Sequence, residues 1–244
     1  MAGKLGRLPR KEHPRTLKLS KYTASLPEPS KAYWEYMVAN WPMLANDTVG
    51  DCTCACAGHM EQNWTAHTFG LQTPTDEQIL AAYSAITGYI PGDPSTDNGA
   101  AITDVLDYWQ DAGIAGRKIL AWAEIDAADI DAIKQAVFIF GGLDIGFNVP
   151  QSAMDQFDAG QTWTVVPNSS IEGGHSVPIL GYGSGGCTCV TWAKLQPMTW
   201  DFFKTYCDEA YAVITQDWLT AAQTTPIAGL DLAALQADLA ALKQ

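Results

Sequence analysis

No run of about 18 apolar residues occurs anywhere in this chain of 244 residues, which argues against a helical membrane span. The opening stretch, MAGKLGRLPRKEHPRTLKLSKYT, has no apolar core of the kind a secretory leader needs, so a cytoplasmic or particle-associated location is expected. Nothing repeats at a fixed period, which argues against a solenoid. Charge is scarce at 17%, and histidine is scarcer, with four in the chain. Basic residues are thin everywhere except at the start. Residues 1–31 hold eight Lys or Arg and two Glu, a sum of +6, so the total of −13 leaves −19 on the rest. An acidic body of that kind is not a specific nucleic-acid binder. What abounds is apolar side chain, at 47%, enough to bury a sizeable core.

The basic start carries four prolines, Pro9, Pro14, Pro27 and Pro29, and reads as extended. Leu5, Leu8, Leu17, Leu19 and Tyr22 are spaced among its charges, so an ordered, extended strap over the acidic body or over a neighbouring subunit is expected. The sharper alternative is an arm that docks on a partner or a polyanion. Beyond it, Cys52 to about His67 reads as a helix, with Cys56, Met60 and Trp64 in one stripe, small Ala55, Ala57 and Gly58 between them, and Asp51 as the expected N-cap. TPTDEQILAAYSAITGY is a second helix with a Thr75/Gln78 capping box, and AAITDVLDYWQDAG a third, stopped by Gly113. DAADIDAIKQAVFIF gives a fourth. After Gly141 the texture becomes short β-rich runs bounded by Gly and Asn.

The expected fold class is therefore α+β, with a helical first half and a β-rich second half. Residues 1–31 form the arm and 32–225 one domain, helical over about 32–115 and β-rich over about 116–225. Residues 226–244 form a C-terminal amphipathic helix. Its Leu232, Leu235, Leu239 and Leu242 suit docking on its own domain, with self-association as the alternative.

GDCTCACAGH packs Cys52, Cys54 and Cys56 into five positions. On a helix, Cys52 and Cys54 point about 200° apart and cannot chelate one ion together. A four-sulfur site would need Cys187 and Cys189 to join Cys52 and Cys56, so no metal and no cofactor is expected. Six cysteines without a leader read as thiols rather than as a disulfide framework. A cysteine in a helix's first turn feels the positive end of the macrodipole, which favours thiolate. A nucleophile also needs a base, and His175 in EGGHSVPILGYG is the strongest candidate, because His13 sits in the arm and His59 and His67 lie on the Cys52 helix. The plainer readings are a buried Cys52, a core His175, and an Asn46 that only turns the NDTVG loop.

These residues resemble a papain-like cysteine peptidase over roughly residues 40–215. GDCTCA is similar to that family's nucleophile segment, DNGAAITDVLDYWQDAGI to its Gly-Gly helix segment, and GGHSVPILGYG to the strand bearing its histidine. VTWAKLQPMTWDFFKTYCDEAYAVI resembles the closing segment. The resemblance implies a cleft between the two halves and a hydrolase, or an amide or thioester transferase, acting on a peptide or protein. It makes Cys52 the nucleophile, His175 the base and Asn46 an oxyanion donor, with Gly99, Ala100, Gly174 and Trp192 against the substrate. Two departures stand out. Val190 falls where the family's His-orienting Asn belongs, and strand alternation is expected to turn the adjacent Thr191 away, so that water, a backbone carbonyl or a hydroxyl takes the role. Pro178 interrupts a strand that ought to be central, so an edge or bulge is expected there. A catalytically weak papain-fold module within a larger assembly is the alternative function.

Overall fold

The computed structural model describes residues 3–11, 16–24, 26–68, 70–221 and 229–242. The expected helices are present. A two-residue strand β1 (Ala32–Tyr33) leads to α1 (Cys52–Thr68), which is buried from Cys52 through Thr65. Its small residues explain that burial: a Cβ on Gly58 would stand 2.7 Å from Leu44 Cδ1. Helix α2 (Asp76–Thr87) starts on the expected capping box, with Thr75 and Gln78 exchanging side chain–backbone hydrogen bonds, and ends on Gly88 at φ 77°. Helix α3 (Ile102–Asp111) turns Ile102, Val105, Leu106 and Trp109 inward, and Trp109 stacks on Trp64 of α1 at 5.7 Å.

The second half is one seven-stranded antiparallel sheet in the order β2-β7-β3-β4-β5-β6, with β1 pairing β4. Its members are β2 (Ala121–Ile125), β3 (Leu143–Pro150), β4 (Ile171–Gly183), β5 (Gly186–Thr191), β6 (Lys194–Thr199) and β7 (Cys207–Ile214). Helix α4 (Ile130–Phe140) lies between β2 and β3, α5 (Gln151–Asp158) follows β3, and α6 (Trp200–Tyr206) precedes β7. Strand β2 arrives before α4, earlier than the β texture suggested, because its pairing partner is β7 at the far end of the chain.

Strand β4 is central, yet Pro178 is accommodated. The β4–β5 ladder begins just past it at Ile179 and carries a register shift between Ile179 and Gly181, the irregularity the proline led us to expect. Helix α7 (Gln216–Ala221) follows β7, and α8 (Leu232–Leu242) closes the chain. Leu235 of α8 is fully buried in the main core, and Asp238 pairs with Lys21 and Tyr22 of the arm. The side chains of Leu239 and Leu242, and His13, lie outside the described residues. No described helix is long and apolar enough to cross a membrane.

The arm lies on the body as an extended strap, its cations matched to body carboxylates. Lys4 pairs with Asp97, Arg7 with Asp208 and Glu209, Arg10 and Lys18 with Glu124, and Lys11 with Asp104. Its path passes between the helical half and the sheet.

Candidate active site

Cys52 opens α1, and its side chain is buried against the sheet. Burial pushes the thiol up to about 12, while the backbone N–H groups of Ser176 and Gly6 approach the sulfur and oppose that rise. The thiol therefore lies beside the His175–Ser176 peptide of β4 and beside the arm. Asp51, expected as the N-cap, makes no capping bond; its carboxyl is fully buried, and burial holds it well above the usual carboxylate range. Burial thus disfavours the charge on Asp51, and whatever charge it carries opposes thiolate formation at Cys52.

His175 is buried at 1% exposure, and burial first, then the Arg7 charge, lowers its imidazole to about 3. The ring stacks on Trp192 at 4.7 Å and meets Phe147 edge-on at 5.8 Å. Nε2 lies 2.8 Å from Thr191 Oγ1, and Nδ1 has no hydrogen-bond partner among the described residues. This corrects the expectation for Thr191. Val190 packs on the other side of β5 with Val38, Trp41 and Leu180, so Thr191 is the residue that faces the histidine. Strand β5 ends at Thr191, and the hairpin turns on Trp192 and Ala193 at φ 45° and 62°, which brings Trp192 over the ring. The hydroxyl expected to stand in for the family's Asn is thus Thr191's own.

The other predicted residues converge on one feature, the arm segment Gly3–Leu8. Asn46 Nδ2 donates to Lys4 O at 3.2 Å and to Val49 O at 3.1 Å, and Lys4 N donates back to Asn46 O at 2.7 Å. Ala100 N donates to Gly6 O at 2.9 Å, and Leu8 N donates to Ala100 O at 3.0 Å, a parallel bridge. From the sheet side, Gly174 O accepts from Arg7 N at 3.1 Å. Gly99, at φ 77°, backs Gly6 so closely that a Cβ there would stand 2.2 Å from Gly6 O. Gly3 approaches Trp192, where an added Cβ would lie 2.4 Å from the indole Cδ1. A peptide backbone thus crosses the cleft, hydrogen-bonded to both walls.

The seated segment turns the Gly6 N–H towards the sulfur. The carbonyl that Asn46 holds belongs to Lys4, two residues away.

Sequence reasoning missed the groups that anchor the segment. Arg7 is buried; Nη1 reaches Asp208 Oδ1 at 2.7 Å and also Glu209, and Nη2 reaches Asp208 Oδ2 at 3.1 Å and Asn148 Oδ1 at 3.2 Å. The acidic pair DE in CDEAYAVI was the available signal, opposite a basic arm. Cys54, Cys56, Cys187 and Cys189 are buried, and Cys207 is partly so; all six thiols are free. Among the described residues, no group of three His, Cys, Asp or Glu is disposed to hold a metal ion.

No family model matches the chain, and no curated protein matches it by sequence. Solved structures do match. Xylellain, a cysteine protease from Xylella fastidiosa, superposes with a TM-score of 0.68 at 15% identity over 88% of this chain and 97% of its own. Procathepsin B S9 from Trypanosoma congolense gives 0.57 at 12% identity, covering 85% of each chain. Procathepsin L 3 of Tenebrio molitor larval midgut gives 0.56 at 12% identity, over 87% of this chain and 75% of its own.

Proposed function

From its papain-like fold, we propose that the chain is a cysteine-dependent hydrolase of peptide or amide bonds, held latent by its own first residues. The observation that carries this reading is the arm backbone, bonded to Asn46 and Ala100 on one wall and to Gly174 on the other while it passes Cys52. A cleft that hydrogen-bonds one extended peptide this way is equipped to bind another.

With the arm displaced, water reaches both buried groups, and the burial that raises the thiol and lowers the imidazole is relieved. His175 Nε2–H then donates to Thr191 Oγ1, which leaves the lone pair on Nδ1 to accept the Cys52 proton. Thiolate attack on the substrate carbonyl forms the C–S bond. The oxyanion is held by the Cys52 N–H at the helix start and by Asn46 Nδ2, released from Lys4. Collapse breaks the C–N bond while the imidazolium returns its proton to the leaving nitrogen. Water then cleaves the thioester, with His175 as base; an amine in place of water would make the same centre a transferase. Thr191 offers a neutral oxygen, so it orients the ring but stabilises the imidazolium less than a full carboxylate would.

The second reading is a catalytically silent binding or structural module, favoured by the sealed site with Cys52 at 1% exposure. A peptidyl vinyl sulfone separates the two. Covalent labelling at Cys52 that rises when the arm is loosened and is lost in His175→Ala supports the hydrolase. Slow labelling spread over several cysteines, indifferent to His175, supports the module.

A further inference from the structure

The Arg7 side chain occupies a pocket that is more elaborate than an anchor requires. Its floor is Gly146 of β3, where a Cβ would stand 2.6 Å from Glu209 Oε1 and 2.8 Å from Arg7 Cδ, so only glycine leaves room for the guanidinium. Glu209, itself buried, is fixed from behind by the Tyr211 hydroxyl at 2.8 Å. Asp208 is fixed by Asn148 Nδ2 at 3.1 Å. Four acceptor oxygens therefore meet the two terminal nitrogens of one fork, with Asp208 taking one oxygen to each. A lysine ammonium at that depth is a point donor and could not span the Asp208 pair. The pocket also opens beside the candidate base, because Arg7 N donates to Gly174 O at 3.1 Å, and Gly174 directly precedes His175.

We propose that this pocket is a recognition subsite for an arginine side chain of the peptide that replaces the arm. The inference rests on the cleft being a peptide-binding site, as argued above, and it narrows the substrate class to chains cleaved within one or two residues of an arginine. Arg7 is then the resident occupant that an incoming arginine displaces. Asp208, Glu209 and Asn148 determine specificity, and Gly146 sets the depth.

The test uses the full-length chain carrying Arg7→Ala, which empties the pocket. Fluorogenic peptide amides varying only in Arg, Lys, citrulline or Leu near the cleaved bond measure preference. Charge-assisted pairs of this kind predict about 10- to 100-fold in favour of Arg over Leu, with Lys and citrulline between. That preference should collapse when Asp208→Asn is added; Asp208 is partly exposed, so this change leaves the buried Glu209–Tyr211 pair intact. Thermal unfolding of the Arg7→Ala chain with ethylguanidinium against ethylammonium gives a readout independent of turnover, and only ethylguanidinium should raise Tm. Cleavage without arginine preference overturns the subsite and leaves the hydrolase reading standing. No cleavage of any peptide, with Tm still raised by ethylguanidinium alone, keeps the subsite and removes the hydrolase. Equal response to the two cations overturns the subsite outright.

Discussion

Adding one methyl group to the arm should wake the thiol. An alanine at position 6 would place its Cβ 1.8 Å from Gly50 O and 2.3 Å from Gly50 C. Both are backbone atoms, so no rotamer change relieves the overlap, and Gly99 packs closely against the Gly6 carbonyl. The segment must therefore leave the cleft. Its departure exposes Cys52 and relieves the burial that holds the thiol at about 12; against an ordinary 9.0, full relief multiplies the thiolate present at neutral pH by about a thousand. Iodoacetamide labelling followed cysteine by cysteine by mass spectrometry reads this directly. Gly6→Ala should accelerate Cys52 by two to three orders of magnitude and lower Tm, because the Arg7 pairs are lost together. Cys54 and Cys56, buried further along α1, should stay slow. Gly185→Ala, at a position with open space around it, is the matched control and should change neither quantity. A Gly6→Ala chain whose Cys52 labels no faster than wild type would refute the claim that the arm seals the site.

Four further outcomes follow. Thr191→Val strips the hydroxyl from His175 Nε2 and should lower turnover of the arm-displaced enzyme about 10- to 100-fold with the fold kept; an unchanged kcat would remove Thr191 from the mechanism. Val190→Asn, by contrast, buries an amide against Trp41 and Leu180 and should cost about 1–3 kcal/mol in chemical denaturation with no gain in rate; a rate increase would show that position 190 reaches the histidine after all. Glu61 is raised by burial to about 8 while its Oε1 accepts from Trp109 Nε1, so its stabilising contribution is complete below its ordinary 4.5 and is lost as pH rises through 8. Glu61→Gln keeps the acceptor and should flatten Tm against pH across that window; an unaltered slope would mean that Glu61 ionises normally in the fold. Near 1 M salt, where the Debye length is about 3 Å, Cys52 labelling should rise only a few-fold. The exposed Lys4 and Lys11 pairs are then screened while the buried Arg7 pairs are not.

The helices were legible because they carry their own punctuation: the Thr75/Gln78 box, the glycine stop at 113, and the 3–4 spacing of Ile102 to Trp109. Cys52 and His175 were legible by their neighbours, one after a Gly-Asp turn at a helix start and one after a glycine pair entering a strand. Thr191 was misread because a strand's two faces exchange with a shift of one residue, and nothing local in CTCVTW fixes which face meets β4. That is decided by the β4 irregularity beyond Pro178 and by the tight turn at Trp192 and Ala193. The Arg7 pocket was illegible for a different reason. Arg7 and Glu209 are 202 positions apart, and a charge imbalance between arm and body predicts attraction without specifying partners. Gly3 and Gly6 look like ordinary linker glycines until the walls they slide between are known.

The strap that fills the cleft belongs to the same chain as the cleft, and this sets the rules of competition. A tethered segment is presented to its own groove at an effective concentration that can reach the millimolar range, whatever the protein concentration in solution. Dilution therefore cannot vacate the groove, and an outside peptide of equal intrinsic affinity is outcompeted until its own concentration approaches that range. Severing the chain after Lys11 changes the order of the process from first to second. The freed fragment keeps every contact made by Gly3 to Leu8, yet once released it is diluted into the bulk. One peptide-bond scission anywhere along the tether would then turn a permanent occupant into one ligand among many.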